Sequence, residues 1–248
     1  SISIDTLGAS YDTIFIETEK LVVAISERGA RIISVQTKDY RTDAKKKKKS
    51  IEENPYIELV EDDAIGGANL AVNNDSYENV IFESSHDKRE LSVLDQDSGR
   101  VTFYATGSDG YPLRKTYSFS RDGYIVGLEI YSETLDGKKV SVGWQCGIAD
   151  SDTGGGGRNS AYSIRKMHLF DGENVSHITE KKPKKSEESG YYKWVGLTSK
   201  YFLTAIICDT IRDADVEIES YEMVADEEKD SKKKQTVINY RFSCRRFA

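Results

Sequence analysis

The residues that can carry out catalysis are few, and their spacing does not bring them together. The chain has three histidines and three cysteines among 248 residues. Ser84, His86 and Asp87 are close in sequence, but successive residues of an extended chain point to opposite faces, so these three cannot form a catalytic triad with one another. The sequence also lacks the Gly-x-Ser-x-Gly motif of a nucleophile elbow. These patterns favour a protein that is not an enzyme.

Possible ligands for a metal or a cofactor are equally scattered. Cys146, Cys208 and Cys244 form no Cys-x-x-Cys pair, and no zinc-binding spacing can be built from them and the histidines. The acidic segment 58–63 lacks the alternating oxygen ligands and the glycine of a calcium loop. The glycine run 154–157 is not set between a strand and a Gly-Lys-Ser/Thr helix start, as a phosphate-binding loop is. We therefore expect no metal and no cofactor.

Charge and hydropathy exclude further classes of protein. The formal net charge is −7, and an acidic chain is poorly suited to binding nucleic acid, which requires a basic surface that displaces counterions from phosphate. The longest apolar run, Leu21–Ile25, is far shorter than the roughly 20 residues of a membrane-spanning helix. The first residues also lack the basic and apolar parts of a signal peptide. The sequence therefore predicts either a cytoplasmic protein or a soluble piece of a larger one.

Short segments of alternating polar and apolar residues run along the chain, separated by turn residues roughly every 8–12 positions. Such spacing is typical of an all-β sandwich, and no segment sustains a helical period. We predict about fifteen strands in a large two-sheet β-sandwich with little helix, forming a single domain over residues 1–248. The clearest predicted hairpins pair 20–26 with 31–37, 90–94 with 101–105, and 113–120 with 124–132.

Three lysine-rich segments stand apart from the strands in composition. The first contains Lys45, Lys46, Lys47, Lys48 and Lys49, and the others are 181–185 and 232–234. Because like charges in series repel one another and stay hydrated, we expect exposed loops in all three. For Lys45–Lys49 the alternative is contact with an anionic membrane surface, which attracts basic residues by about 1 kcal/mol each.

Three stretches, taken in order, resemble a known family. They are 17–40, with a strand, a Gly-containing turn and a second strand; 111–126, with Lys115-x-Tyr117-x-Phe119 and an Asp-Gly-Tyr return; and 193–205, with Trp-Val-Gly-Leu followed by Tyr-Phe. Together they resemble the large periplasmic domain of the YidC membrane-protein insertase family. The resemblance implies a β-supersandwich of the galactose-mutarotase type. It also implies a domain excised from a larger membrane protein, at the periplasmic face of the bacterial inner membrane.

The resemblance further implies a docking and chaperone-like role in membrane-protein insertion. The partners that it implies are the Sec translocon, its SecDF accessory proteins and nascent membrane proteins. A rival interpretation is an aldose-1-epimerase-like enzyme or a carbohydrate-binding sandwich, because 28–33 also suits the opening strands of such a protein. Epimerase chemistry requires a general-acid histidine that faces a general-base carboxylate, and no histidine here has the Asn-His-x-x-Phe setting of that enzyme family.

Three aromatic residues are candidates for lining a binding groove. Sandwiches of this size often curve one sheet into a concave surface, and aromatic side chains on it suit an extended peptide or a glycan-like ligand. Trp144, Tyr162 and Trp194 lie in or beside strand-like segments. The alternative is that Trp144 and Trp194 belong to the core, and the solvent exposure of the two indoles distinguishes these interpretations.

Overall fold

The described part of the chain consists of strands, turns and connecting segments. The computed structural model describes residues 13–41, 56–73, 75–149, 165–207, 214–224 and 236–247. Its strands within these ranges are β1 Thr13–Glu17, β2 Leu21–Ser26, β3 Arg31–Arg41, β4 Tyr56–Glu58, β5 Gly67–Val72, β6 Asp75–Ser76, β7 Glu83–Ser84, β8 Glu90–Ser92, β9 Ser98–Thr106, β10 Pro112–Ser120, β11 Val126–Tyr131, β12 Lys139–Trp144, β13 Lys166–Phe170, β14 Val175–Ile178, β15 Lys184–Gly190, β16 Trp194–Thr198, β17 Leu203–Ile207, β18 Ala214–Val224 and β19 Thr236–Phe247. These ranges contain no helix, and therefore none with the length and apolarity that crossing a bilayer requires. The predicted all-β class is confirmed.

Hydrogen bonding arranges the described strands in three sheets. The largest has eleven strands, in the order β15-β18-β19-β12-β5-β3-β2-β1-β8, with β4 beside β3 and β6 beside β5. Two four-stranded sheets have the orders β11-β10-β9-β7 and β14-β13-β16-β17. Pairing is antiparallel throughout, apart from the parallel pair of β1 and β8. The predicted sandwich is present, with its strands divided among three sheets.

Alternation along the strands forms one hydrophobic core to which all three sheets contribute. On β10, every second residue of 113–119 is buried. The same period buries Val216 and Ile218 in the large sheet and Met167 and Leu169 in the second four-stranded sheet. All the apolar residues among these belong to a single buried cluster. Burial of apolar area stabilises a fold by roughly 25 cal/mol per Å², so this cluster is the main reason that the sheets stay packed together.

Two of the predicted hairpins are confirmed. Strand β10 pairs with β11, and β2 pairs with β3. The β2–β3 turn places Gly29 and Ala30 in the left-handed region, with φ of 72° and 44°. Glycine adopts this conformation freely, whereas alanine does so at a cost. The turn presents its carbonyl groups to the interior, where they meet a side chain from β10.

The third predicted hairpin is wrong in its pairing. Residues 90–92 and 98–106 are strands β8 and β9, but β8 pairs with β1, and β9 pairs with β7 and β10. Val93, directly after β8, is fully buried. A Cβ at Gly99 would lie 2.7 Å from a methyl group of Val93, so the two residues are closely packed. The chain therefore changes sheets between β8 and β9, which a local turn signal cannot show.

The loop predicted for 181–185 is wrong in its second half. Residues 184–190 form β15, which pairs along its length with β18 at the edge of the large sheet. Lys185 forms an ion pair with Glu217 of β18, and Glu187 lies 3.6 Å from Arg245 of β19. These cross-strand ion pairs stabilise β15 as a strand, although its charged side chains alone predict a hydrated loop. The lysine runs at 45–49 and 232–234 lie outside the described residues.

Candidate binding surfaces

A buried lysine joins two of the sheets. Lys115 of β10 is fully buried, and its Nζ donates hydrogen bonds to the backbone carbonyls of Gly29 at 3.0 Å, Ala30 at 2.8 Å and Ala68 at 2.8 Å. Two positions along the strand, the hydroxyl of Tyr117 donates to the Ala30 carbonyl at 2.7 Å. Because the carbonyls belong to the large sheet and Lys115 to a four-stranded sheet, the ammonium group connects the two.

The surroundings of Lys115 show that its role is structural. All three acceptor residues have positive φ, which is costly for Ala30 and Ala68, and the bonds to the ammonium group help to offset that cost. Burial, together with the smaller effect of the charge of Arg31, lowers the pKa of Lys115 to about 7. Since the ammonium group is enclosed and each of its N–H groups has an acceptor, it has no access to a ligand.

The buried position of Lys115 is missing from the sequence-based predictions, although the sequence contains a signal for it. Lys115 falls on the same alternating positions as Leu113, Tyr117 and Phe119. A period of two places all four side chains on one face of the strand. A lysine in such an apolar series indicates a buried cation with several acceptors, because an unpaired buried charge is prohibitively costly.

The large sheet carries a shallow polar furrow. One cavity of about 260 Å³ lies over β18, β19 and the end of β12, and a second of about 140 Å³ lies over β5 and β12. Gln145 and Ser243 line both cavities, so the two are continuous. The other polar or small lining residues include Glu217, Glu219, Arg241, Asn69, Ser141 and Gly143. We call this surface the polar furrow.

Three charged residues of the polar furrow, Glu217, Glu219 and Arg241, form ion pairs within the large sheet. Arg241 donates two hydrogen bonds to the carboxylate of Glu219, at 3.0 and 2.7 Å, and these bonds lower the pKa of Glu219. Arg245 donates to Glu217 at 3.1 Å. Asn69 Oδ1 is buried and accepts no hydrogen bond from the described residues. The furrow therefore combines paired surface charges with a buried acceptor, which suits a polar partner.

A row of apolar residues crosses the outer face of the β14-β13-β16-β17 sheet. The register places Val175 opposite Phe170, Phe170 opposite Trp194 and Trp194 opposite Ile207, with one residue from each strand. The rings of Phe170 and Trp194 stack with centroids 5.6 Å apart. Val175 and Ile207, at the two ends, are 52% and 57% exposed. Contiguous exposed apolar side chains mark interaction sites. We call these four residues the apolar row.

The next row of the same face has no carboxylate. Its members, one from each strand, are His177, His168, Gly196 and Ala205. The two imidazole centroids are 6.4 Å apart, and His168 Nε2 lies 3.0 Å from the hydroxyl oxygen of Thr198. Burial lowers the pKa of His168, and the neighbouring His177 and Lys166 lower it further. His168 is therefore neutral near pH 7, and the surroundings of the apolar row favour an uncharged ligand.

The structure places the predicted groove residues in different environments. Trp144 is only 6% exposed and belongs to the core, and its Nε1 donates to the Gly147 carbonyl at 2.7 Å. Gly67 makes room for the indole, since a Cβ there would lie 2.4 Å from the ring. Trp194, by contrast, is part of the apolar row. Two sets of candidates lie outside the described residues, namely Tyr162 and Lys45–Lys49.

The described ranges assemble no arrangement of catalytic groups that we can identify. No three His, Cys, Asp or Glu side chains in them are placed to hold a metal ion. His86 contacts the backbone carbonyl of Glu90 at 3.2 Å, and His168 contacts a hydroxyl rather than a carboxylate. Burial raises the pKa of the Cys146 thiol, which makes it unreactive. The fold and its surfaces define an all-β domain with two candidate binding surfaces, the polar furrow and the apolar row.

Comparison with known proteins identifies the family. The YidC periplasmic domain family matches residues 13–241, and the chain belongs to it. The membrane protein insertase YidC of Chloroherpeton thalassium is 24% identical over 202 residues, which cover 77% of this chain and 33% of the relative. That of Chlorobaculum parvum is 26% identical over 137 residues, covering 52% and 22%. The chain thus spans at most about a third of the length of these relatives.

Solved structures of low sequence identity are also similar. A galactose mutarotase related enzyme from Lactobacillus acidophilus has a TM-score of 0.43 and 11% identity, covering 94% of this chain and 97% of its own. A galactose mutarotase-like protein from Lactobacillus casei has a TM-score of 0.40 and 12% identity, covering 93% and 87%. The family match confirms the resemblance to YidC that the three sequence stretches carry.

Proposed function

We propose that this chain is the periplasmic domain of a YidC-type inner-membrane insertase and binds membrane proteins during their insertion and folding. Family membership supports the proposal, since the relatives are membrane protein insertases. The structural observation that carries it is the apolar row, which includes the predicted binding residue Trp194. The domain acts at the periplasmic face of the membrane by holding a substrate rather than by changing it chemically.

The ligand proposed for the apolar row is an extended apolar segment of a membrane-protein substrate. Neighbouring strands lie about 4.8 Å apart, so four side chains in a row span roughly 14 Å, the length of about four extended residues. Covering the exposed side chains removes apolar surface from water, which favours binding. The second row contains no carboxylate, so an apolar ligand does not have to desolvate a negative charge there.

Docking to the Sec translocon and its SecDF accessory proteins is the second part of the proposal. The polar furrow supports it, because the ion pairs of Arg241 with Glu219 and of Arg245 with Glu217 are only partly buried. Such pairs can exchange partners with the charged rim of another protein, which fixes orientation and increases the association rate. The furrow and the apolar row therefore have different proposed occupants.

Trp194 is the natural reporter for the apolar row. In a Trp144→Phe variant it is the single tryptophan, because the chain has two. A peptide of alternating Leu and Ala residues, flanked by lysines for solubility, is expected to shift its fluorescence to shorter wavelength on binding. Replacing Val175 and Ile207 together by Ser is expected to weaken that binding at least tenfold, about 1.4 kcal/mol.

The matched control replaces Ile81 and Ile125 by Ser, since both are exposed apolar residues outside the apolar row. This variant is expected to bind the peptide as the parent does. A peptide of the same length made of Ser and Gly between the lysines is expected to leave the emission unchanged. Equal weakening in both double variants, or no response to the apolar peptide, would contradict the proposal.

A further inference from the structure

Aromatic residues of two separate hairpins meet at the end of β3. Tyr40 of β3 contacts Phe202, in the β16–β17 turn, with ring centroids 5.3 Å apart at 83°. Lys200 of the same turn places its Nζ 4.8 Å from the ring centroid of Tyr201. Tyr40 and Tyr201 are 52% and 64% exposed. The contact therefore places the exposed Tyr40 beside the turn that carries Lys200 and the exposed Tyr201.

Basic charge is concentrated at the same place. Arg41 follows Tyr40, and its guanidinium lies 4.4 Å from the ring centroid of Tyr56, its register partner on β4. Arg41 and Lys200 therefore bring two basic side chains to this part of the surface. Their charge is opposite in sign to the net charge of −7 of the whole chain. We call the following residues the aromatic-basic corner: Tyr40, Arg41, Tyr56, Lys200, Tyr201 and Phe202.

The carboxylate beside the corner is already bound within the fold. Asp39 lies 2.8 Å from the Nζ of Lys20 and accepts a hydrogen bond from the hydroxyl of Tyr124. These two bonds lower the pKa of Asp39. Its charge is compensated by its own partners, so it does not oppose an anionic ligand at the corner.

We propose that the aromatic-basic corner docks this domain on an anionic lipid surface. Tyrosine favours the boundary between lipid and water because its ring is apolar and its hydroxyl is hydrated. Arginine and lysine are attracted to anionic headgroups, and their stems cover apolar surface. A lipid layer satisfies both kinds of group at once and needs no complementary shape, which an acidic protein partner would need. The inference goes beyond the proposed function, since it concerns the bilayer and uses no residue of the apolar row.

Sedimentation with lipid vesicles tests the proposal. The chain is expected to bind vesicles of phosphatidylglycerol and phosphatidylcholine at least tenfold more tightly than vesicles of phosphatidylcholine alone. Binding is expected to fall as the ionic strength rises past about 0.1 M, where the screening length is about 10 Å. A corner variant, in which Tyr40, Arg41, Lys200 and Tyr201 are all changed to Ser, is expected to lose most of the binding to anionic vesicles.

A matched variant on the β9–β11 face separates the corner from net charge. It changes Tyr104, Tyr131, Arg100 and Arg114 to Ser, and so removes two tyrosines and two basic residues, as the corner variant does. One of these arginines, Arg114, lies 4.3 Å from the centroid of a tyrosine ring. The affinity of this variant for anionic vesicles is expected to stay within about twofold of that of the wild type. Equal losses in both variants would show an effect of net charge alone and would overturn the proposal. Wild-type binding in the corner variant, or no preference for anionic vesicles, would overturn it too.

Three further experiments keep the result interpretable. If the corner variant unfolds at lower urea concentration than the wild type, the pair Arg41→Gln and Lys200→Gln replaces it, since this pair keeps the aromatic contacts. The corner variant is also expected to keep the Trp194 response to the apolar peptide, so that failure of lipid docking and failure of substrate binding are distinguished. Changing Lys45–Lys49 to Ser is expected to weaken lipid binding further. Loss of all binding in that variant, with the corner variant unaffected, would overturn the proposal.

Discussion

Lys115 connects two sheets through an ammonium group, and the proton on that group makes the connection depend on pH. A protonated lysine has three N–H groups for the carbonyls of Gly29, Ala30 and Ala68, whereas a neutral amine has two. Burial lowers the pKa in the folded protein to about 7 from the ordinary 10.5. Between these values the unfolded chain holds a proton that the folded chain has released, so the free energy of unfolding increases with pH.

A Lys115→Met variant is expected to reveal this dependence. Near pH 6 the variant is expected to be less stable than the wild type by about 2–4 kcal/mol, because buried carbonyls lose their donor. From about pH 7 to pH 9 the stability of the wild type relative to the variant is expected to grow, by up to about 1.4 kcal/mol per pH unit. Urea unfolding of both proteins at several pH values measures the difference.

The neighbouring Arg114→Met variant is the control, since Arg114 lies on the same strand and points to the exposed face. Its stability is expected to stay within about 1 kcal/mol of the wild type, with no trend over the same pH range. If the difference in free energy of unfolding between the wild type and Lys115→Met stays constant or decreases from pH 7 to pH 9, the release of a proton by Lys115 in the folded protein is contradicted.

The two tryptophans show what the sequence can and cannot predict about single residues. Their positions in or beside strands are predictable from alternation, and both lie in strands. Which of them faces the core is decided by remote partners. Gly67 makes room for Trp144 from far away in the sequence, and Phe170 supports Trp194 from another strand. Such partners become known only when the strands are paired.

At the scale of elements, β15 shows how charge can protect a strand instead of preventing it. An edge strand exposes unpaired backbone groups to other molecules, and charged side chains keep those molecules away. Lys185 and Glu187 lie on the exposed edge and are held by Glu217 and Arg245 across the sheet. Lys185 and Glu187, whose charges predict a loop from the sequence, therefore stabilise β15 and keep other strands from pairing with this edge of the large sheet.

Removing that protection is expected to cause self-association. A variant with Lys185→Val and Glu187→Val keeps the net charge and has higher β-propensity, so its edge is expected to pair with other copies as concentration rises. Light scattering during size-exclusion chromatography measures the mass. The control, Glu219→Val with Arg241→Val, removes one charge of each sign from paired inner strands and is expected to behave as the wild type does. An edge variant with wild-type mass at every concentration would refute this role of β15.

Strand existence is far more predictable than strand pairing in this chain. Alternation reveals β3, β10 and β11, and a continuous apolar run reveals β2. The short turns between β2 and β3 and between β10 and β11 fix the partners of these strands. The pairing of β8 with β1 has no local signal, because it joins residues 90–92 to 15–17. β15 is missed for a different reason, since its sequence contains no hydrophobic residue and its order depends on ion pairs with β18 and β19.

At the scale of the whole molecule, the three sheets share one core, and this predicts one unfolding transition. Residues of every sheet contribute to the same buried cluster, and Lys115 adds polar bonds between two of them. Trp144 reports on the large sheet and Trp194 on a four-stranded sheet. Single-tryptophan variants, Trp194→Phe and Trp144→Phe, are expected to show transitions of the same shape, each matching circular dichroism of the same variant. Fluorescence and circular dichroism that disagree in either variant would indicate separate units.

The place of β19 in the large sheet sets the timing of folding. This strand, at 236–247, lies between β18 and β12, and β12 pairs on its other side with β5. A chain that emerges from a ribosome or a translocation channel with its N-terminus first completes β12 at residue 144, and residues 145–235 must pass before its partner arrives. Through that interval β12 presents an open edge, and the antiparallel pair of β15 and β18 has no sheet to join. Contacts so distant in sequence form slowly, and open edges in unfinished chains recruit other chains. A protein whose relatives are membrane protein insertases therefore has an interval in its own synthesis when it needs protection from aggregation.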